Sequence, residues 1–222
     1  MLQLKNSKVE LDKQLILSLD KIQLPYGQFN VLAGPSGSGK STFLHLISGQ
    51  LTPIEGVVQW KENRLDSLNE STCCHWRNQE VGFIFQDFNL IPSLSALENV
   101  ILQHSFSNWR IGSEVRQQAI ALLSQFGIKD VHKNINQFSR GEKQRIALAR
   151  ALNGNPSIIL ADEPTASLDK ENAKFVIEQL KLQAAKGKFV LAVSHDPLVI
   201  EQADQTVYLE RGEIQYESMD AA

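Results

Sequence analysis

The chain has 222 residues, of which 42% are hydrophobic and 21% are charged. This length and balance suit one globular domain with a full hydrophobic core. The formal net charge of −3 argues against the basic surface of a nucleic-acid-binding protein, so no nucleic-acid partner is expected. The N-terminus carries no signal sequence, and no apolar run approaches the ~20 residues of a membrane span. We therefore expect a soluble, cytoplasmic chain, for which another protein would have to supply any membrane spans.

The two cysteines, Cys73 and Cys74, are neighbours in the chain. Adjacent cysteines cannot form a disulfide framework, and no metal-ligand spacing follows them. The sequence predicts two ordinary thiols in a polar surface segment.

Three short apolar runs have the length and composition of strands that are buried on both faces of a parallel sheet. They are residues 29–33, 158–161 and 189–193. Each run is followed at once by small, polar or charged residues, at 34–42, 162–164 and 194–196. Ligands of open α/β sheets bind beyond the carboxyl ends of the strands, so the three segments are expected to converge on one site.

Helical periodicity occurs between and after these runs. It predicts helices over residues 41–49, 115–126, 146–152 and 170–183. The first fifty or so residues are strand-rich, whereas the segment 87–155 is mainly helical. The alternation of buried strands and helices indicates an α/β fold.

The first of the polar segments matches the phosphate-loop pattern G-x-x-x-x-G-K-[ST], between a predicted strand and a predicted helix. Its glycines allow backbone N–H groups to surround phosphate oxygens, Lys40 can reach the β and γ phosphates, and Ser41 can bind Mg²⁺. A glycine-serine turn that caps a helix is the simpler alternative, which the strand before and the helix after argue against. The expected phosphate-binding residues are Gly34, Pro35, Ser36, Gly37, Ser38, Gly39, Lys40, Ser41 and Thr42.

The second polar segment places two carboxylates at the end of a buried strand. Asp162, nearer the strand, is expected to hold Mg²⁺, directly or through water. Glu163 points elsewhere and can polarise an attacking water as a general base. An apolar run ending in Asp-Glu is often only a strand end meeting solvent. The phosphate loop upstream favours the catalytic interpretation.

Residues 138–152, FSRGEKQRIALARAL, precede the acidic strand. Ser139 and Glu142 have the spacing of a capping box at a helix start, and a capped amphipathic helix is the plain interpretation. The segment also closely resembles the signature of ABC ATPases, written LSGGQ or LSGGE followed by QQR. Phosphate loop, signature and acidic strand occur in the family's order and spacing over nearly the whole chain.

The resemblance implies a P-loop NTPase (RecA-like) core with a mostly parallel sheet, a small antiparallel β subdomain and an inserted helical subdomain. Residues 1–222 would form a single ABC ATPase domain, with the helical subdomain at 87–155. It also implies a head-to-tail homodimer that binds ATP and Mg²⁺. In that dimer the signature helix of one subunit, through Ser139, Gly141 and Glu142, faces the γ-phosphate held by the other.

Three further residues resemble family elements. Gln86 is similar to the Q-loop glutamine, Asp169 to the D-loop residue at the dimer interface, and His195 to the switch histidine. Alone, they would be a surface glutamine, a helix N-cap and a histidine in a turn. The resemblance thus implies two sets of residues. The catalytic set is Lys40, Gln86, Glu163 and His195, and the metal set is Ser41, Gln86 and Asp162.

Two positions depart from the family pattern. Arg140 stands where the first signature glycine is usual, and it either points outward or adds positive charge near the phosphates. No aromatic residue occurs around residues 7–11, where the family often stacks one on adenine, and Tyr26 lies close to the phosphate-loop strand. Stacking is therefore lost or replaced by Leu11 or another apolar side chain, and GTP could serve as well as ATP.

Residues 82–100 resemble the branch that contains lipoprotein-releasing, macrolide-exporting and cell-division ABC ATPases. In that branch the segment after the Q-loop contacts a membrane permease, which implies a peripheral position on the cytoplasmic face of the cell membrane. The region from Phe88 to Leu94, with Leu90 and Ile91, would form an exposed apolar patch if unpartnered. Packing within the helical subdomain is the alternative.

The leading functional hypothesis is therefore an ATPase subunit that drives a permease in export or lipoprotein extraction. A second is mechanical signalling through the membrane to an extracytoplasmic enzyme. A soluble ABC protein of translation or DNA repair is a third. The chain has neither a second such domain nor a coiled coil, and it is not basic. A simple P-loop kinase would lack the signature helix.

Overall fold

Two β-sheets organise the chain in the computed structural model, which describes residues 1–105 and 111–215. The smaller sheet is antiparallel and has the strand order β2-β1-β4-β5. Its strands are β1 (Leu2–Leu11), β2 (Gln14–Leu24), β4 (Glu55–Trp60) and β5 (Asn63–Arg64). Leu4 of β1 pairs with Ile22 on one side and with Val58 on the other, and all three side chains are buried.

The larger sheet has six strands in the order β10-β9-β3-β8-β7-β6. They are β3 (Phe29–Ala33), β6 (Val81–Ile84), β7 (Ile158–Asp162), β8 (Phe189–Val193), β9 (Gln205–Glu210) and β10 (Glu213–Gln215). All neighbouring pairs are parallel except β9 and β10. The three apolar runs are the adjacent strands β3, β8 and β7, which confirms the predicted α/β fold with a mostly parallel sheet.

Side chains of the central strands pack on both faces of this sheet. In β7, Ile158 and Leu160 belong to the core shared with the antiparallel sheet, whereas Ile159 and Ala161 belong to the opposite core. Successive side chains of a strand point to opposite faces. A strand covered on both sides therefore needs the continuous apolar run that its sequence has.

Seven α-helices surround the sheets in the described ranges. They are α1 (Lys40–Ile47), α2 (Glu70–Glu80), α3 (Ala96–Ser105), α4 (Ser113–Gln125), α5 (Arg140–Leu152), α6 (Lys170–Ala185) and α7 (Pro197–Ile200). The four predicted helices correspond to α1, α4, α5 and α6. Helices α3, α4 and α5 occupy the segment 87–155, and the bounds of a separate helical subdomain stay a prediction. Within 1–105 and 111–215, no helix is both long and apolar enough to cross a bilayer.

The prediction of two surface thiols is wrong for one of them. Cys74 is exposed, but Cys73 is buried. The Cys73 thiol lies 3.3 Å from the carbonyl oxygen of Gly49, just after the C-terminal end of α1. Helix α2 was not predicted from the polar sequence around it, and its buried stripe of Cys73 and Trp76 joins the core.

Candidate functional site

The loop after β3 wraps around the start of α1. Gly34 and Gly39 have φ angles of 154° and 101°, which glycine adopts most readily. A Cβ atom on Gly34 would stand 2.2 Å from the carbonyl oxygen of Leu209, so glycine is also required by packing. The Lys40 ammonium group donates hydrogen bonds to the carbonyl oxygens of Gly34 (2.9 Å) and Pro35 (2.8 Å).

This loop has the chemistry of an anion site. The Ser38 hydroxyl oxygen is buried and has no hydrogen-bond partner among the described residues. The Lys40 charge and the free backbone N–H groups at the start of α1 lie in the same loop. A phosphate group would satisfy all three kinds of donor.

Asp162, the last residue of β7, lies beside the same loop. Burial raises the pKa of its carboxyl group, and a hydrogen bond with the Ser41 side chain opposes that shift. Glu163 raises the pKa of Asp162 further, whereas His45 and Lys40 lower it. A hydroxyl and a carboxylate oxygen in contact are the hard ligands that Mg²⁺ prefers, so these two residues fit the ion.

Glu163 contacts the next strand tip. Its Oε1 lies 2.7 Å from Nδ1 of His195, and its Oε2 accepts a hydrogen bond of 3.4 Å from the Ser194 hydroxyl. The backbone of Glu163 has a φ of 45°, a left-handed conformation that costs an L-residue about 1–3 kcal/mol. Its N–H bond to the carbonyl oxygen of Val193 (2.9 Å) fixes this turn. The carboxylate is thus held beyond the strand end, where it can accept a proton.

The structure brings four predicted segments together at one edge of the sheet, because β3, β8, β7 and β6 are neighbours. Gln86 follows β6, and its side chain is exposed. The hydroxyl of Thr165 donates to the carboxylate of Asp196 (3.0 Å) and ties the loops after β7 and β8. Sequence reasoning did not single out this pair.

The signature segment forms the predicted capping box at the start of α5. The Ser139 hydroxyl accepts from the backbone N–H of Glu142 (3.3 Å), and the Glu142 carboxylate accepts from the backbone N–H of Ser139 (2.8 Å). The second of these bonds is the main reason that the pKa of Glu142 is lowered. The helix start is therefore ordered without help from outside the chain.

Asp169 caps the start of α6, where its carboxylate accepts from the backbone N–H of Asn172 (2.9 Å). The side chain of Asn172 lies against Gly141, so the starts of α5 and α6 are in contact. Within residues 1–105 and 111–215, no side-chain hydrogen bond joins Ser139, Gly141 or Asp169 to the phosphate loop. The predicted site residues therefore form two groups, one at the strand tips and one at the two helix starts.

Gln144 is a further residue that sequence reasoning missed. It is buried on α5, and its Nε2 donates to the carbonyl oxygen of Pro164 (2.6 Å), just after Glu163. Through this bond the signature helix contacts the loop that carries the candidate base. A polar residue at a core-facing position of a helix was the signal that could have found it.

Arg140 points toward its own chain. Its guanidinium carbon lies 5.1 Å from the centre of the Phe88 ring, a cation–π contact. Arg150 donates to the carbonyl oxygens of Phe88 (2.6 Å) and Asn89 (2.5 Å), and burial lowers the pKa of Arg150 to about 10. Two arginines of α5 thus hold the turn that follows Gln86.

These contacts correct the expected exposed patch after the Q-loop. Phe88 is only 9% exposed, and Leu90 is half-buried against the core. Leu94 is half-buried as well, whereas Ile91 is 38% exposed. Packing inside the domain, the alternative interpretation, accounts for Phe88 and Leu90.

A cavity of about 340 Å³ lies close to the same segment. Phe83 and Phe85 line it with their rings stacked at 4.3 Å, and Leu102 of α3 lines it as well. Both phenylalanines are half-buried. This cavity offers aromatic surface between β6 and the helices.

No aromatic ring of the described N-terminal strands takes the place of an adenine-stacking residue. Tyr26 packs edge-on against Phe189, at the end of β8 that is remote from His195. In the hairpin of β1 and β2, strand β2 instead lies next to the phosphate loop, because a Cβ on Gly39 would stand 2.8 Å from the Leu17 side chain. Leu11 and Leu15 of this hairpin are 40% and 52% exposed.

A phosphate loop, an acidic strand end and a parallel sheet in this order define a P-loop nucleoside triphosphatase. The ABC transporter family profile matches residues 17–166 of the chain. The chain is 38% identical over 226 residues to the uncharacterized ABC transporter ATP-binding protein MJ0796 of Methanocaldococcus jannaschii, covering 98% of this chain and 96% of that protein. It is 39% identical over 212 residues to the lipoprotein-releasing system ATP-binding protein LolD of Acinetobacter baylyi, covering 93% and 89%.

The fold agrees with a solved structure of the MJ0796 cassette. That structure is described as a dimeric post-hydrolysis state bound to ADP and Pi, and it matches with a TM-score of 0.87 and 35% identity over the whole of both chains. The protein therefore belongs to the ABC transporter family, as an ATP-binding cassette with ATPase activity.

Proposed function

We propose that the chain is the ATPase subunit of an ABC transporter, which dimerises head-to-tail around two ATP molecules and drives a separate membrane permease. The observation that carries the proposal is the division of the site residues into two groups. Asp162, Glu163 and His195 lie at the strand tips together with the phosphate loop and its Lys40, whereas Ser139, Gly141 and Asp169 lie at the starts of α5 and α6. Two copies arranged head-to-tail would bring one group of each chain against the other group of its partner.

In this dimer the loop at 34–42 binds the phosphates through backbone N–H groups and the Lys40 ammonium. Ser41 and Asp162 hold Mg²⁺, with Gln86 as a third oxygen ligand. The ion, when bound, neutralises charge on the phosphate oxygens. Glu163 accepts a proton from the attacking water, and His195 holds the Glu163 carboxylate in place.

The partner subunit completes the site in this proposal. The hydroxyl of Ser139 and the N–H groups at the start of α5 face the γ-phosphate held by the other chain, and the Glu142 cap keeps that helix start ordered. Asp169 lies at the dimer interface. Arg140 contributes no phosphate contact, because its guanidinium rests on Phe88 of its own chain.

The permease is proposed to contact the segment around Phe88–Leu94 through its exposed residues, of which Ile91 is the largest. The aromatic cavity at Phe83 and Phe85 adds apolar surface close to that segment. The likeness to LolD, whose name describes a lipoprotein-releasing system, supports a membrane partner and an extraction or export role. The chain would act at the cytoplasmic face of the membrane.

Purification of the tagged chain from native membranes in mild detergent tests the proposal. We expect an integral membrane protein to co-purify, and we expect Ile91→Glu to lose it. Ile54→Glu is the matched control, since Ile54 is 58% exposed on a different surface. Recovery of the chain without any membrane protein, or with ribosomes or DNA, would contradict a permease-driving role. A permease with a large extracytoplasmic domain and an attached hydrolase would favour mechanical signalling.

The aliphatic side chains of the hairpin of β1 and β2, near the phosphate loop, are expected to discriminate only weakly between adenine and guanine. Leucine side chains contact a purine ring without reading its edge, so kcat/KM for GTP is expected to lie within about tenfold of the value for ATP. Introducing a ring with Leu15→Tyr is expected to lower KM for both nucleotides by several-fold, since base stacking contributes about 1 kcal/mol or more. Phosphate release with each nucleotide measures both effects, and a strong ATP preference in the unmodified chain would rule the idea out.

A further inference from the structure

Asn172, in the first turn of α6, contacts the starts of two helices with one side chain. Its Oδ1 accepts hydrogen bonds from Nε (3.1 Å) and Nη2 (2.8 Å) of Arg145 on α5. Its Nδ2 donates to Oδ2 of Asp169 (2.6 Å), the residue that caps α6. Both ends of the amide are therefore bonded, one to each helix.

Arg145 is itself held in place. Its guanidinium lies 4.9 Å from the centre of the Phe175 ring, and its Nη1 donates to the carbonyl oxygen of Phe126 (3.4 Å). An arginine with three of its donors bonded and one face stacked has little freedom. The amide of Asn172 thus meets a fixed donor and fixes Asp169 in turn.

Gly141 belongs to the same contact. A Cβ atom on Gly141 would stand 2.5 Å from Nδ2 and 2.6 Å from Cγ of Asn172. Real Cβ atoms do not approach other atoms so closely, so any side chain at 141 would displace the amide. Asn172 therefore reaches Arg145 and Asp169 only because residue 141 is a glycine.

We infer that Asn172 is a positioning residue, which sets the signature end of α5 against the Asp169 end of α6. Ser139, Gly141 and Asp169 are the residues proposed to face the nucleotide of the partner chain, and the inference rests on that proposal. The amide holds the three at a fixed mutual distance before any partner is bound. Preorganised contacts of this kind matter for catalysis, because a displacement of about 1 Å can lower the rate by about a hundredfold.

Part of the requirement for glycine at position 141 comes from a contact within the same chain. A glycine in the signature is needed for close approach of its backbone to phosphate in the proposed dimer. Here it is also needed for close approach to Asn172. The two requirements make different predictions when Asn172 is removed.

The first test replaces Asn172 alone and measures ATPase kinetics, nucleotide affinity and melting temperature. For Asn172→Ala we expect kcat to fall about tenfold to a hundredfold. The affinity for a fluorescent ATP analogue should stay within about twofold, because the phosphate loop lies on other elements. Lys174→Ala, an exposed change on the same helix, is the control and should change none of the three. An unchanged kcat in Asn172→Ala would overturn the inference.

Asn172→Asp separates positioning from mere stability. An aspartate keeps the acceptor for Arg145 and so keeps the link between the helices, but it sets a second carboxylate against Asp169. We expect the melting temperature of Asn172→Asp to lie between those of Asn172→Ala and the wild type, while its kcat stays low. If kcat follows the melting temperature across the variants, Asn172 has only a structural role and the inference is wrong.

The second test asks whether Gly141 and Asn172 act through each other. Gly141→Ala should lose ATPase activity, and the double variant Gly141→Ala, Asn172→Ala should regain part of it, because only the clash with the amide is relieved. A double variant as inactive as Gly141→Ala alone would show that the clash with Asn172 does not cause the loss, and Gly141 and Asn172 would then not act through each other. Ser139→Ala distinguishes the underlying proposal. If it keeps full activity, the signature role fails, whereas an inactive Ser139→Ala beside an active Asn172→Ala refutes the positioning role only.

Discussion

Replacement of Glu163 by glutamine is expected to abolish ATP hydrolysis and to leave ATP binding intact. Glutamine has the shape of glutamate but cannot accept a proton, so a general base is lost and kcat should fall by about 10²–10⁴-fold. The backbone turn at Glu163 is fixed by its N–H bond to Val193, which the substitution preserves. Phosphate release at saturating ATP measures the loss.

The same variant is expected to accumulate as an ATP-bound dimer. If hydrolysis opens the proposed head-to-tail dimer, blocking hydrolysis leaves the dimer closed, and light scattering after size-exclusion chromatography should then report twice the mass of the monomer. Glu178→Gln, on an exposed face of α6, is the control and should behave as wild type. Hydrolysis by Glu163→Gln within about tenfold of wild type would mean that another group is the base.

The strand-tip half of the site could be predicted from sequence because its signals are local. Strands β3, β7 and β8 are buried on both faces, so each is a continuous apolar run, and the motif residues follow directly. A parallel sheet brings such ends to one edge whatever the strand order is. The capping box of Ser139 and Glu142 is equally local, since it lies within one helical turn.

The contacts between helix starts could not be predicted in the same way. Asn172 is separated from Arg145 by β7 and the loops around it, and no periodicity in the sequence relates the two positions. The choice of partner depends on how α5 and α6 pack, which is a property of the whole core. The direction of the Arg140 side chain could not be predicted either. Its partner Phe88 has a left-handed backbone with a φ of 63°, which no local pattern in the sequence indicates.

Burial was misjudged where polar residues surround an apolar one. Cys73 lies in a segment of mostly polar residues, and the prediction of a surface thiol followed from the average polarity of that segment. In a helix with one narrow buried stripe, the average hides the stripe. Phe88 was misjudged for the opposite reason, because apolar neighbours suggested an exposed patch where the chain folds back on its own core.

Asp162→Asn is expected to stabilise the nucleotide-free protein while it destroys the ATPase. Burial, the main cause, raises the pKa of the Asp162 carboxyl group in the folded state. The folded protein then binds a proton more readily than the unfolded chain, so the free energy of unfolding falls as pH rises through the folded pKa. An asparagine carries no charge and avoids this penalty. We therefore expect a higher melting temperature for the variant at pH 8 in EDTA.

The gain should shrink as the pH is lowered, because the wild-type carboxyl becomes protonated and neutral like the amide. Melting temperatures at pH 8 and at the lowest pH at which the protein stays folded test this dependence. Asp20→Asn on the exposed surface is the control and should change stability by less than about 0.5 kcal/mol at either pH. A less stable Asp162→Asn at pH 8 would mean that the hydrogen bond with Ser41 and the attraction of His45 and Lys40 outweigh the burial of the carboxylate.

Addition of ATP and Mg²⁺ should reverse the order of stability. The carboxylate that is unfavourable in the empty fold is the proposed ligand of the ion, so the wild type gains more from binding than the asparagine variant does. Loss of that ligand should also lower kcat by at least about a hundredfold. A half-buried carboxyl group whose pKa is raised in the empty fold is thus the arrangement expected of a residue that binds the ion. Stability measured with and without the nucleotide separates this role from a structural one.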